Sequence, residues 1–291
     1  MGDVSCVADA GALLGEGALW DPDRGVVWWL DIRGSRLHVH DVRSGANRGH
    51  ALARRLTALG LTSTRDLVAC GDEGFVRLAI SDDLGVAATT VLARPDEPPG
   101  NRFNDGAVDP AGRFWAGTMD ESEREARGSL YRLDAHGLHR VIEGLSIPNG
   151  PCFLDDGTML ATDTAAGVIT AHRLDAAGNV RASREFARFP ASAGYPDGMA
   201  RDAQNHVWIA FWDGGCLRRL DADGRVKREI ALPVSRPTRP VFAGEQLDRL
   251  YVTSAAFGLD AAARARQPWA GGLLHLDGDV AGAPPARFTA R

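Results

Sequence analysis

An all-β chain folded as a six-bladed β-propeller is what this sequence predicts, and three observations carry the expectation. The bulky residues Trp28, Val68, Trp115, Leu160, Trp208 and Tyr251 recur 40 to 48 residues apart, each inside a short apolar run. Four of the six units open on a polar residue followed by glycine, at Glu16-Gly17, Asp105-Gly106, Asn149-Gly150 and Asp197-Gly198. No stretch sustains a 3.6-residue apolar period, and the best helical candidate, 260–267, is one short helix or turn. Units of this length, each holding several alternating strands and glycine turns, are the pattern of propeller blades.

Each unit reads the same way from its start. After the polar-Gly pair, a short loop with an Asp and a turn leads to a second strand carrying the bulky marker. A third strand then ends in an acid near another turn, as in Leu37-His38-Val39-His40-Asp41, Tyr131-Arg132-Leu133-Asp134, His172-Arg173-Leu174-Asp175 and Arg219-Leu220-Asp221. Weaker copies fill 59–84 and 241–277, with Leu67-Val68-Ala69 and Leu250-Tyr251-Val252 as middle strands. The repeat runs through the midpoint without a linker. That disfavours two β-sandwiches and makes residues 1–291 a single propeller domain, which needs no second domain to cover its edges. Trp28, Trp29, Trp115 and Trp208 are expected in blade cores, and Trp212 at a rim. His38 and His40 alternate on one strand and are expected in solvent.

Composition narrows the function. Apolar residues at 44% and charged residues at 24% are ordinary for a globular chain. A net charge of −5 leaves no basic surplus to hold a phosphate backbone, so nucleic acid is not an expected partner. Unbroken apolar runs such as Val26 to Leu30 are too short for a bilayer, so no membrane partner is expected either. Cys6, Cys70, Cys152 and Cys216 stand singly, and no basic, apolar leader opens the chain. The expectation is a cytoplasmic monomer with reduced thiols.

In a propeller the first strand of every blade lines the central channel. Equivalent first-strand residues of different blades therefore meet around one axis. Glu16, Asp105, Asn149 and Asp197 share one phase of the repeat, and oxygen-bearing side chains in a ring suit a hard divalent cation. Taken singly, Asn-Gly and Asp-Gly are turn formers. Their recurrence at one phase, and the Leu14-Gly15-Glu16-Gly17 context, favour a site. Arg102 and Asn104, in Gly100-Asn101-Arg102-Phe103-Asn104-Asp105-Gly106, add a planar cationic fork and an amide at the same end. There is no G-x-S-x-G, no phosphate-cradling glycine loop and no H-E-x-x-H.

These segments, Leu14 to Trp20, Asn101 to Gly106 running into Asp109 to Arg113, Gly117-Thr118-Met119, Asn149-Gly150 and Pro196-Asp197-Gly198-Met199, resemble those of the gluconolactonase/regucalcin (SMP-30-like) family of sugar lactonases. The resemblance implies one divalent metal held by Glu16, Asn149 and Asp197, and a substrate-binding pair at Arg102 and Asn104. The acid that some members set after Gly-Thr-Met for a substrate hydroxyl falls at Asp120 or Glu121, of which Glu121 is the candidate. The function implied is hydrolysis of a sugar (aldono-) lactone to its aldonic acid, with the cation polarising the carbonyl and Asp197 as the base. Oxygen ligands leave Ca, Mn, Mg, Fe and Zn undistinguished. The alternatives are a non-catalytic calcium-binding propeller, which would bind metal without turnover, and a lactonase or esterase for non-sugar lactones.

Overall fold

A computed structural model describes residues 4–289. Among them are six sheets, five of four antiparallel strands and one of five strands, and the protein is a six-bladed β-propeller. Blade 1 comprises Gly15–Asp21, Val26–Asp31, Arg36–Asp41 and Asn47–Ala51. Blade 2 comprises Leu56–Thr62, Leu67–Gly71, Gly74–Ile80 and Val86–Ala93; blade 3, Asn101–Val108, Phe114–Asp120, Gly128–Asp134 and Gly137–Leu145. Blade 4 comprises Pro148–Phe153, Thr158–Asp163, Val168–Leu174 and Val180–Arg188; blade 5, Tyr195–Arg201, Val207–Trp212, Cys216–Leu220 and Val226–Ala231. Blade 6 takes Pro237–Ala243, Arg249–Ser254 and Leu273–Asp277 from late in the chain and Ser5–Ala8 from its start as the outermost strand. The fifth strand of blade 2 is Arg287–Phe288, parallel to Leu56–Thr62.

All six bulky markers lie on second strands, and none is more than 2% exposed. Burying such a side chain is worth about 1.5–3 kcal/mol relative to leaving it in water, so six of them anchor the sheets. The segment after blade 6's second strand forms one short helix, Ala261–Arg266, capped by Asp260, whose carboxylate accepts from Ala263 N at 2.7 Å. The described residues gather into two compact units. One contains blades 1, 5 and 6 (residues to Arg55, with Pro190–Pro284) and the other blades 2, 3 and 4 (Leu56–Phe189 and the segment from Pro285).

A lock that recurs in three blades explains why an Asp precedes the marker. Trp28 Nε1 donates to Asp21 Oδ2 (3.1 Å), Trp115 Nε1 to Asp109 Oδ2 (2.8 Å) and Trp208 Nε1 to Asp202 Oδ2 (3.0 Å). The same carboxylates accept from backbone amides of their turns and from Arg24, Arg113 and Arg219. Each acid is no more than 1% exposed, and only such full pairing makes a buried carboxylate tolerable.

One expectation is corrected. His40 is 3% exposed and His38 is half-buried, with its ring stacked on Trp29 at 4.1 Å between centroids. The third strands of a propeller are still interior on both faces, because adjoining blades pack against them. Burial pushes the pKa of both imidazoles down, that of His38 to about 4. The four cysteines are free thiols.

Candidate functional site

Every first strand carries a β-bulge near its beginning, and that bulge aims the candidate residues. In blade 1, Gly15 and Glu16 pair with Asp31 and Leu30. Gly17 and Ala18 then stand against the single Trp29, and pairing resumes at Leu19–Trp28. The same two-against-one count recurs in blades 3, 4, 5 and 6, and blade 2 has a smaller shift at Thr57. A bulge bends its strand and turns side chains away from the regular pleat, which suits a site.

The register separates residues that the polar-Gly pattern aligns. Glu16 and Asn149 are the last paired residues before the bulge, whereas Asp197 is the first residue inside it and Asp105 the second. Glycine serves two different purposes here. Gly17 and Gly150 have φ of 63° and 84°, a left-handed conformation that glycine adopts without strain. Gly106 and Gly198 are present for clearance, since a Cβ would come within 2.5 Å of Trp115 O and 2.8 Å of Thr238 O.

In the unit of blades 1, 5 and 6, Glu16 is 6% exposed and Asp197 5% exposed. Gly17 N donates to Glu16 Oε2 at 2.9 Å. The first strand of blade 6 packs against those of blades 1 and 5, and the Thr238 hydroxyl donates to Gly15 O at 2.5 Å. The strand entering Glu16 is held by Asp31, whose carboxylate accepts from Leu13 N and Leu14 N at 3.0 Å each.

In the unit of blades 2, 3 and 4, three candidates form one hydrogen-bonded row. Arg102 Nη1 donates to Asn104 Oδ1 (2.9 Å) and to Phe103 O (2.8 Å). Asn104 Nδ2 donates to Asn149 Oδ1 (3.1 Å) and to Pro148 O (3.0 Å), and Asn149 Nδ2 donates to Thr164 Oγ1 (2.8 Å). Both amides are thereby fixed in orientation. Asn149 is 5% exposed, and its oxygen keeps a lone pair beyond the one that Asn104 uses. Asp163 holds the strand entering Asn149 through Ser146 N and Ile147 N, as Asp31 does for Glu16. The carboxylate of Asp105 accepts from Gly106 N (2.7 Å) and Gly150 N (2.8 Å), which ties two first strands together.

The two acids after Met119 have different surroundings. Asp120 is 2% exposed and accepts from Ser122, Arg124, Glu125 and Arg127. The Ser122 hydroxyl, with those amides and Arg127, holds its carboxyl far below the usual range. Glu121 has a side chain 44% exposed, with Oε1 4.0 Å from Arg102 Nε. Of the two, Glu121 is the one beside the Arg102 row. Thr164 and the pair Asp31 and Asp163 were not legible as site-supporting residues. The only signal for the two acids is their position at the end of a second strand.

Two carboxylates and an amide oxygen, each at a bulge and each at most 6% exposed, fit a hard cation in donor chemistry. Among the described residues no three His, Cys, Asp or Glu side chains gather to hold an ion. No helix among the described residues is long and apolar enough to cross a membrane.

Comparison with known proteins gives a consistent relationship. A pentonolactonase of Haloferax volcanii is 36% identical over 99% of each chain. A 6-deoxy-6-sulfogluconolactonase of Pseudomonas putida is 34% identical over 98% of each. The solved structure of a calcium-binding protein, regucalcin, from Agrobacterium tumefaciens superposes with a TM-score of 0.92 at 30% identity, covering 99% of this chain and 97% of that one. The family model for the SMP-30/gluconolactonase/LRE-like region matches residues 14–256, and the chain belongs to that family.

Proposed function

We propose that the protein hydrolyses a sugar lactone, the cyclic ester of an aldonic acid, to the open acid, with a divalent cation held by Glu16, Asn149 and Asp197. The observation that carries the reading is the Arg102–Asn104–Asn149 row. It sets a cationic fork and two oriented amides at the bulges of neighbouring first strands. The lactonases among the relatives support the reaction class, and the calcium-binding relative supports a divalent ion.

When bound, the cation supplies a Lewis acid for the lactone carbonyl and acidifies water. Asp197 takes a proton from the attacking water as its oxygen bonds to the carbonyl carbon, and returns it to the ring oxygen as the ester C–O bond breaks. Arg102 and Asn104 hold the ring and its hydroxyls, which contributes orientation rather than bond chemistry. Glu121, exposed beside Arg102, accepts a hydroxyl. We further propose that the protein acts as a cytoplasmic monomer, in keeping with its four free thiols.

Proton release in weak buffer tests this on xylono-, arabino-, galactono- and gluconolactone, using metal-stripped protein with and without added Mn²⁺, Fe²⁺, Ca²⁺, Mg²⁺ or Zn²⁺. Cation-dependent acceleration over the spontaneous rate is the expected result. A folded protein that binds a cation and accelerates no lactone would leave the calcium-binding reading in its place.

A further inference from the structure

A pocket of about 200 Å³ lies in the groove between blades 2 and 3, at the end of the sheet where Arg102 begins its strand. Its polar wall comprises Asp72, Glu73, Arg94, Glu97, Asn101 and Arg102. Arg102 is the partition. Its guanidinium, on a side chain 8% exposed, donates to Asn104 and also lines the pocket. We propose that this pocket receives the exocyclic arm of the substrate, and that the arm is neutral and hydroxylated. The inference rests on the lactonase reading and deepens it.

Three features specify the occupant. The first is a fixed carboxylate: Asn101 Nδ2 donates to Glu97 Oε2 (2.5 Å) and to Arg127 O (3.1 Å), so the amide holds Glu97 in the wall. The second is the mixture of carboxylates and guanidinia. A hydroxyl both donates and accepts, so vicinal hydroxyls match such a wall where an alkyl arm would strand it. The third is sign: three acids against two arginines give an acidic excess, which disfavours an arm bearing phosphate, sulfonate or carboxylate.

Size and rigidity agree. At about 30 Å³ per water, the pocket holds roughly six waters or one short polyol arm, and not a second sugar ring with its hydration. Its rim is fixed by Arg94, whose Nε donates to Glu73 O at 3.0 Å, and by Gly74 at φ 98°, where a Cβ would strike Ala93 O at 2.4 Å. Glu97 is held from behind by the Tyr131 hydroxyl.

Three lactones separate the possibilities. D-Glucono-1,5-lactone and D-xylono-1,5-lactone differ only in the CH₂OH arm, and 6-phosphoglucono-1,5-lactone replaces its hydroxyl with an anion. The protein is expected to favour gluconolactone over xylonolactone by about tenfold in kcat/KM, expressed in KM, and to reject the phosphorylated arm. Glu73 sits in a turn with its side chain 36% exposed, so Glu73→Phe fills the pocket without touching a core. That variant should lose the preference while keeping its xylonolactone rate, and Glu73→Gln should relax the rejection of phosphate. Equal rates on the first two lactones, or an equal loss on both in Glu73→Phe, would overturn the arm pocket and leave lactone hydrolysis standing. Turnover of no lactone at all would overturn both.

Discussion

At the scale of single residues, the proposed roles separate by the kind of damage each substitution does. Asp197→Ala removes both the proposed base and a proposed ligand. Turnover should fall at least about a thousandfold, as expected when general base and electrostatic contributions are lost together. Measured against the spontaneous lactone rate, a loss of less than tenfold would refute the assignment. The acids after Met119 give a sharper contrast. Glu121→Gln should raise KM and leave the melting temperature unchanged, since that side chain is 44% exposed and lies 4.0 Å from Arg102. Asp120→Asn should lower the melting temperature, because a neutral amide cannot serve five donors. Sequence alone leaves these two neighbours indistinguishable, because a strand and its turn differ by one residue in where side chains point. The same limit explains the polar-Gly pattern. It singles out Glu16, Asn149 and Asp197, the proposed ligands, but sets them in one register with Asp105, whose oxygens serve Gly106 and Gly150.

At the scale of elements, the blades were legible because their packing repeats. A second strand buried on both faces needs a large apolar residue at one phase, and Trp28, Val68, Trp115, Leu160, Trp208 and Tyr251 supply it. The short α-helix Ala261–Arg266 was legible for the converse reason, since no other stretch of the sequence carries a helical period. What the pattern concealed was long-range: the pairing of Ser5–Ala8 with Leu273–Asp277, and of Arg287–Phe288 with Leu56–Thr62, depends on closure and not on local residues. The burial of His40 was concealed likewise, because alternation reports the two faces of a strand and not whether a neighbouring blade covers both. The Asp–Trp lock predicts an element-scale effect. Trp115→Phe keeps the apolar bulk and removes one donor from Asp109, a carboxylate 1% exposed. The expected cost is about 1–3 kcal/mol in urea unfolding, with the m-value unchanged. A cost near zero would show that Arg113 and the turn amides satisfy Asp109 without the indole.

At the scale of the whole molecule, the chain leaves the unit of blades 1, 5 and 6 at residue 55 and returns to it at Pro190. We propose that the chain is nonetheless one cooperative domain, expected to give a single calorimetric transition with equal calorimetric and van't Hoff enthalpies. The pH dependence of that transition follows from buried imidazoles. Burial first, and then Arg36 and His50, push the pKa of His38 down to about 4, against the opposing pull of Asp31. His40, His172 and His275 are lowered as well, each chiefly by burial. An unfolded chain protonates its histidines near pH 6.5, where the native state still keeps these rings neutral. Between about pH 6.5 and 4 the unfolded state therefore binds more protons, and stability falls as pH falls through that window. The melting temperature should hold level from pH 8 to 7 and decline from pH 6.5 downward. Carboxylates such as Asp175, held at about 2 by the Asn179 amide, add their own loss only below the usual carboxylate range. His38→Gln should flatten the upper part of the decline, since an amide can stack on Trp29 without taking a proton. A decline that begins only below pH 4, the same in both proteins, would mean that His38 titrates alike in the folded and unfolded chain.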